Sequence, residues 1–90
     1  MPSQIQPLKL WVQGGDRAPG INPGKVAIVL HELSVPYESI LFPLSDIKTP
    51  EYLSINPNGR LPALHDPNFG TEGITIWESG AIIEYLIGTY

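Results

Sequence analysis

Two short segments carry the residue types that could recognise a ligand. The first is Asn56-Pro57-Asn58-Gly59-Arg60-Leu61-Pro62-Ala63-Leu64. A proline at the head of a strand cannot donate a ladder hydrogen bond there. A cis Pro62 would turn the preceding backbone outward, so that Leu61 offers its N–H and C=O to a ligand instead of to the sheet. An extended peptide could then pair with that edge. The plainer alternative is that Pro62 only begins an edge strand, because cis is the minority state of X–Pro bonds. The second segment is Ile76-Trp77-Glu78-Ser79-Gly80-Ala81-Ile82, where a strand runs straight into a helix. Ser79 puts a hydroxyl and a backbone N–H at the helix start, where the helix dipole favours an anion. Glu78 beside it could accept hydrogen bonds from an ammonium. A receiver for a carboxylate next to a receiver for an ammonium suits the head group of an α-amino acid. The plainer alternative here is ordinary N-capping by Ser79 with a solvated Glu78.

Other chemistries are excluded by what the chain lacks. It has no cysteine. Disulfide staples, thiolate metal sites, a cysteine nucleophile and a redox Cys-x-x-Cys pair are all ruled out, and a cytoplasmic location is the expectation. His31 and His65 lie far apart without metal-ligand spacing, so no metal site is expected, and each reads as a surface or core-edge residue. The net charge is −4, and the five basic residues Lys9, Arg17, Lys25, Lys48 and Arg60 are spread singly. There is no basic stripe to neutralise a nucleic acid or an anionic membrane surface. The longest apolar run, Val26 to Leu30, is too short to span a bilayer.

Ninety residues allow one small domain. Ten prolines and nine glycines would suggest low complexity, but 42% hydrophobic and 16% charged residues are globular composition. The prolines and glycines therefore punctuate a folded chain. Leu8 to Val12 is rich in strand formers, and Gly14-Gly15 ends it. Asp16 to Pro23 reads as a loop. Val26, Val29, Leu30 and Leu33 recur as one face of a helix over Lys25 to Leu33. Tyr37 to Leu41 or Phe42 is the second strand, parallel to the first through a right-handed crossover. Thr49 and Pro50 look like the N-cap and first position of a short helix that Pro57 stops. Leu61 to His65 and Ile74 to Trp77 form an antiparallel pair, and a last helix runs from Gly80 to about Thr89. The order is β-α-β-α-β-β-α, a mixed four-stranded sheet flanked by helices, which is the thioredoxin-like arrangement, although periodicity alone does not separate it from other small α/β folds.

Together the two segments resemble the N-terminal domain of the cytosolic glutathione S-transferases. That family carries Asn-Pro-x-Gly-x-Val/Leu-Pro-x-Leu and, further on, Glu-Ser-x-Ala-Ile, in this order. The resemblance runs from Leu8 to Tyr90. Within Asn22 to Leu33 it is strongest to the fungal nitrogen-regulator prion-like transferases and to bacterial glutathione-dependent disulfide reductases. It implies that residues 1–90 are the glutathione-binding domain, with the family's C-terminal helical domain absent. Part of Ile28, Ile83 and Ile87 should then be exposed where that domain would pack.

The resemblance implies roles. Leu61, aided by a cis Pro62, would bind the cysteinyl backbone of glutathione. Glu78 and Ser79 would hold the γ-glutamyl head, and Arg60 would contact the peptide or its glycyl end. The family commonly activates the thiol with Tyr, Ser or Cys after the first strand, but Gly14 to Gly24 contains none of these. Asn22 aligns with an asparagine of the fungal and bacterial relatives and takes the catalytic place; Arg17 in the same loop reads first as a solvated charge, with a second electrostatic role as the alternative. A histidine that some relatives place before Thr49 is missing, so its contact is lost or passes to Lys48. The implied reaction is attack of the glutathione thiolate on a small electrophile or a disulfide. Glutathione is the co-substrate, no metal takes part, and the full-length protein is a homodimer. The rival is a weakly active or inactive regulatory or protein-interaction domain on the same motifs. A stand-alone thioredoxin or glutaredoxin is defeated by the absent cysteine.

Overall fold

Leu8, Leu10 and Val12 alternate with Lys9, Trp11 and Gln13 along the first strand, and that alternation decides which side of the sheet becomes the core. The computed structural model describes residues 5–13, 21–43 and 46–90. In it, β1 (Leu8–Gln13) is followed by α1 (Ile21–Glu32), β2 (Tyr37–Phe42), α2 (Pro50–Leu53), β3 (Ala63–Asp66), β4 (Ile74–Trp77) and α3 (Ser79–Thr89). The strands form one mixed sheet in the order β2-β1-β3-β4. β1 and β2 are parallel, with Leu8 opposite Tyr37, while β3 runs antiparallel to both β1 and β4. This is the element order and mixed sheet expected from the sequence.

The inward residues of β1, together with Leu64, meet Val26 and Leu30 of α1 and Ile82 and Leu86 of α3. Burial of a side chain of this size contributes about 1.5–3 kcal/mol, so this cluster is the main source of stability. α2 belongs to the other side of the sheet. Its Tyr52 ring sits 4.8 Å from Phe42, whose position alternates with the core-facing register of β1 and β2. On the outer helical surface Ile28 is 65% and Ile87 63% exposed, as expected, while Ile83 is half-buried.

Two boundaries and one cap near the site differ from the sequence-based expectation. Helix α1 starts at Ile21, one turn before Lys25. Pro23 is compatible with this because the N–H groups of a first turn have no helical acceptor. The earlier start takes Asn22 out of the expected loop and into the helix. β3 starts at Ala63, not Leu61. Thr49 has the extended backbone of an N-cap but makes no capping bond; its hydroxyl donates to the Asp46 carbonyl at 2.6 Å.

A buried carboxylate fixes the far end of α3. Asp66 is 1% exposed. Its Oδ2 accepts the Tyr85 hydroxyl at 2.6 Å and the Tyr90 hydroxyl at 2.7 Å. Its Oδ1 accepts the Asn68 backbone N–H at 2.8 Å and side-chain amide at 2.9 Å. Asn68 also bonds the Gln6 backbone in both directions at 2.9 Å. One carboxylate thus joins the end of β3, the end of α3 and the segment entering β1. Burial raises its pKa, but the bonds from Tyr85, Tyr90 and Asn68 more than offset this and hold it below the ordinary carboxylate value. Burial, then the neighbouring carboxylate, pushes both tyrosines up, Tyr90 to about 12.

The cluster therefore makes stability fall at both ends of the pH scale. A carboxyl depressed in the fold stabilises it above its unfolded pKa of about 3.9 and loses that contribution as pH falls through the folded value. Tyrosines raised in the fold stabilise it below their unfolded pKa of about 10 and lose that contribution as pH rises towards the folded values. Urea unfolding between acid and alkaline pH checks this. Asp66→Asn should cost about 1–3 kcal/mol near neutrality, because an amide N–H₂ then faces hydroxyl donors, and should flatten the acid limb. An acid limb as steep in the variant as in the wild type would show that another group causes it.

Candidate functional site

The turn from α2 to β3 is organised by one carbonyl. The Arg60 C=O accepts the Tyr52 hydroxyl at 2.7 Å and the Asn56 side-chain N–H₂ at 2.8 Å. The Asn56 Oδ1 accepts the Asn58 N–H at 2.9 Å, and the Asn56 carbonyl accepts the Gly59 N–H at 2.9 Å. Tyr52 and Asn56 are 0% and 1% exposed. Burial raises the Tyr52 phenol to about 12 despite the lowering effect of Asn56, so it remains a hydroxyl donor throughout the neutral range. Gly59 has φ +61°, and a Cβ there would stand 2.8 Å from Lys48 side-chain atoms and 2.9 Å from the Ile47 carbonyl. Only glycine fits that position. Beyond the turn, the Leu61–Pro62 peptide bond is cis, and both β3 ladders stop at Ala63. Leu61 is thus left outside the sheet.

The second half of the site is the junction of β4 and α3. Ser79 is the first helical residue, and Glu78 holds the N-cap position without any side-chain capping bond. Ordinary capping by Ser79 is therefore not its role. Glu78 has φ 76° and ψ 117°, a backbone conformation that costs a residue with a Cβ about 1 kcal/mol or more. A glycine would relieve it, and the chain carries a glutamate instead.

These turns and the start of α1 enclose one small cleft. It has a volume of about 90 Å³ and is lined by Asn22, Asn56, Arg60, Leu61, Pro62, Glu78 and Ser79. Asn22, Arg60, Leu61, Pro62, Glu78 and Ser79, all singled out from the sequence, lie on it. Asn22 stands in the first turn of α1 and Ser79 in the first turn of α3, and neither first turn contains an acidic residue. Two helix N-termini therefore supply partial positive charge to one place, beside the cation of Arg60 and the anion of Glu78. A larger depression of about 420 Å³ is lined by Leu30, His31, Ser34, Val35, Pro36 and Tyr37. It lies at the other end of α1, is open to solvent, and gathers no comparable set of polar groups.

Some expectations fall elsewhere. Gly14, Gly15 and Arg17 lie outside the described residues. Lys48 does not line the cleft; its ammonium donates to the Asn58 carbonyl at 3.0 Å and braces the turn. His31 is exposed, and half-buried His65 pairs its Nδ1 with the Thr75 hydroxyl at 2.8 Å. Two residues escaped the sequence reading. Asn56 reads only as part of the turn motif, and nothing in the sequence marks Tyr52 on its own. The repeated step of four residues, from Tyr52 to Asn56 and from Asn56 to Arg60, is the one signal that links them.

A model of the glutathione S-transferase N-terminal domain matches residues 22–88. The chain belongs to this family. Among curated relatives, the glutathione S-transferase-like protein gedE of Aspergillus terreus is 54% identical over 98% of this chain, which spans 35% of that protein. The transcriptional regulator URE2 of Saccharomyces cerevisiae is 44% identical over 97% of this chain, which spans 24% of it. Among solved structures, the glutathione transferase URE2P6 of Phanerochaete chrysosporium, in complex with oxidized glutathione, superposes with a TM-score of 0.80. It is 46% identical over 92% of this chain and 36% of its own. The chain thus spans about a third or less of these transferase-family relatives.

Replacing Glu78 separates backbone strain from side-chain chemistry in this member of the glutathione S-transferase N-terminal domain family. Glu78→Gly and Glu78→Ala both remove the carboxylate, but only glycine tolerates the positive φ. Glu78→Gly should melt roughly 4–8 °C above Glu78→Ala, the shift expected for about 1 kcal/mol in a domain of this size. Equal melting temperatures would mean that no strain resides at this position.

Proposed function

We propose that this chain binds glutathione in the cleft and stabilises its thiolate for attack on a small electrophile or on a disulfide. The observation that carries this is the convergence of Asn22, Arg60, Leu61, Pro62, Glu78 and Ser79 from three separate elements on one cleft. Leu61, outside the sheet, pairs through its backbone with the cysteinyl residue. Ser79 receives the γ-glutamyl carboxylate at the α3 N-terminus, and Glu78 receives its ammonium. Arg60 faces the glycyl carboxylate. A cleft of this volume is smaller than the ~300–1,000 Å³ of a typical complete ligand pocket. It holds the recognised part of the tripeptide and leaves the rest outside.

Asn22 acts on the sulfur. Its side-chain amide donates a hydrogen bond to the thiolate, and the α1 N-terminus adds a favourable potential. An amide cannot accept the thiol proton, so that proton leaves to solvent and activation is weaker than a stronger base would provide. The protein's contribution is positioning and electrostatic stabilisation. Glutathione brings the sulfur, so no metal enters. The second substrate, dimerisation and a cytoplasmic location are carried from the family. Among the described residues, no helix is long and apolar enough to cross a membrane.

A second reading has specific support. The segment Gly14 to Gly24 contains no Tyr, Ser or Cys, and one relative is named a transcriptional regulator. A binding domain with little or no turnover would fit both facts. Calorimetric titration with glutathione, followed by thiol-conjugation and disulfide-reduction assays on wild type and Asn22→Ala, separates the readings. The proposal expects binding in the millimolar range or tighter, and turnover that falls about tenfold or more in the variant. Absence of binding refutes it. Binding without turnover in either assay favours the regulatory domain, and equal turnover in wild type and variant removes Asn22 from the mechanism.

A further inference from the structure

We propose that Tyr52 is a positioning residue for glutathione recognition, acting with Asn56 through the Arg60 carbonyl and not through the ligand. This rests on the glutathione-binding reading and extends it to a residue that does not line the cleft.

The peptide unit joining Arg60 to Leu61 is planar. Its C=O and the N–H of Leu61 point in opposite directions, as they do in any trans unit. Fixing one therefore fixes the other. The Arg60 oxygen is held at 2.7 Å by the Tyr52 hydroxyl and at 2.8 Å by the Asn56 amide, which together use both of its lone pairs. The carbonyl is drawn towards α2, and the Leu61 N–H is aimed the other way.

Neither donor can drift. The Tyr52 ring is fully buried and packs on Phe42 with centroids 4.8 Å apart. Asn56 is 1% exposed, and its oxygen is committed to the Asn58 N–H. Asn56 also takes its place through its own backbone, since its N–H donates to the Tyr52 carbonyl at 2.9 Å. The two donors thus belong to one rigid piece, set by a spacing of one helical turn. A ligand that pairs with the Leu61 backbone meets a peptide plane already oriented, and none of its binding energy goes into ordering the loop.

Tyr52→Phe tests this, because it removes one oxygen and leaves the ring on Phe42. Two readouts are needed on the folded variant. In the absence of ligand, the Arg60 carbonyl carbon and Leu61 amide resonances should move while those of Leu86, in the core, stay in place. In a glutathione titration the Kd should rise about two- to tenfold, the effect of one hydrogen bond. A lower melting temperature with the Leu61 resonance moved but Kd unchanged would make Tyr52 merely structural and overturn the proposal. An unmoved Leu61 resonance would overturn it too, whatever the affinity. If the wild type binds no glutathione, the functional reading itself falls, and the inference about its recognition falls with it. The resonances would then still tell whether Tyr52 orients the Leu61 peptide. Should Tyr52→Phe fail to fold, Asn56→Ala removes the second donor and is read by the same two criteria.

Discussion

The Arg60 carbonyl accepts hydrogen bonds from two buried side chains, Tyr52 and Asn56, and these determine the shape of the turn before β3. Leaving such a buried donor unpaired costs about 1–3 kcal/mol. Tyr52 can reach the carbonyl only from a helix short enough to end before Asn56, and Asn56 only if the chain reverses at Gly59, where φ is +61°. Once these conditions are met, Leu61 stands outside the sheet and Ala63 is the first residue to pair with β1 and β4. The cleft is the space left beside this arrangement, closed by the starts of α1 and α3.

The molecule separates stability from orientation. The apolar cluster between the sheet and helices α1 and α3 holds the fold together. It does so without specifying the angle of a particular peptide plane or helix end. Two buried polar nodes do that. Around Asp66, two tyrosine hydroxyls and Asn68 anchor the end of α3 remote from the cleft. Around Arg60, Tyr52 and Asn56 anchor the entry to β3. Among the described residues, no buried side-chain nitrogen or oxygen lacks a partner, so both nodes are complete and therefore rigid. At the cleft end of β4 sits Glu78, with a positive φ and a place in the cleft lining. Local strain of this kind persists where the surroundings over-determine a conformation, and it concentrates at functional sites.

Much of this could be read from the sequence, for identifiable reasons. Strand β4 was bounded correctly because turn residues flank an alternating run. The residues of the two motifs fall on one site by their resemblance to the family pattern, since each segment taken alone has a plainer structural reading. Helix α1 starts earlier than its apolar recurrence predicts, because Pro19, Gly20 and Pro23 read as loop signals although proline is well tolerated in a first turn. Ser79 looked like a cap because serine commonly caps, whereas Glu78 occupies that position at a φ no propensity rule would assign to it. The buried nodes were hidden for another reason. A tyrosine or asparagine that satisfies a distant carbonyl looks the same in sequence as one facing solvent. Only the fold brings Tyr52 and Asn56 to Arg60, or Tyr85 and Tyr90 to Asp66.

Recognition of glutathione by this one cleft is tested most directly by titrating isotope-labelled protein with glutathione and following each backbone amide by NMR. The expected result is a set of saturable shifts at Asn22, Leu61, Glu78 and Ser79, with none around His31 to Tyr37 at the other end of α1. No shifts up to millimolar glutathione, or shifts gathered around His31 to Tyr37, would contradict it.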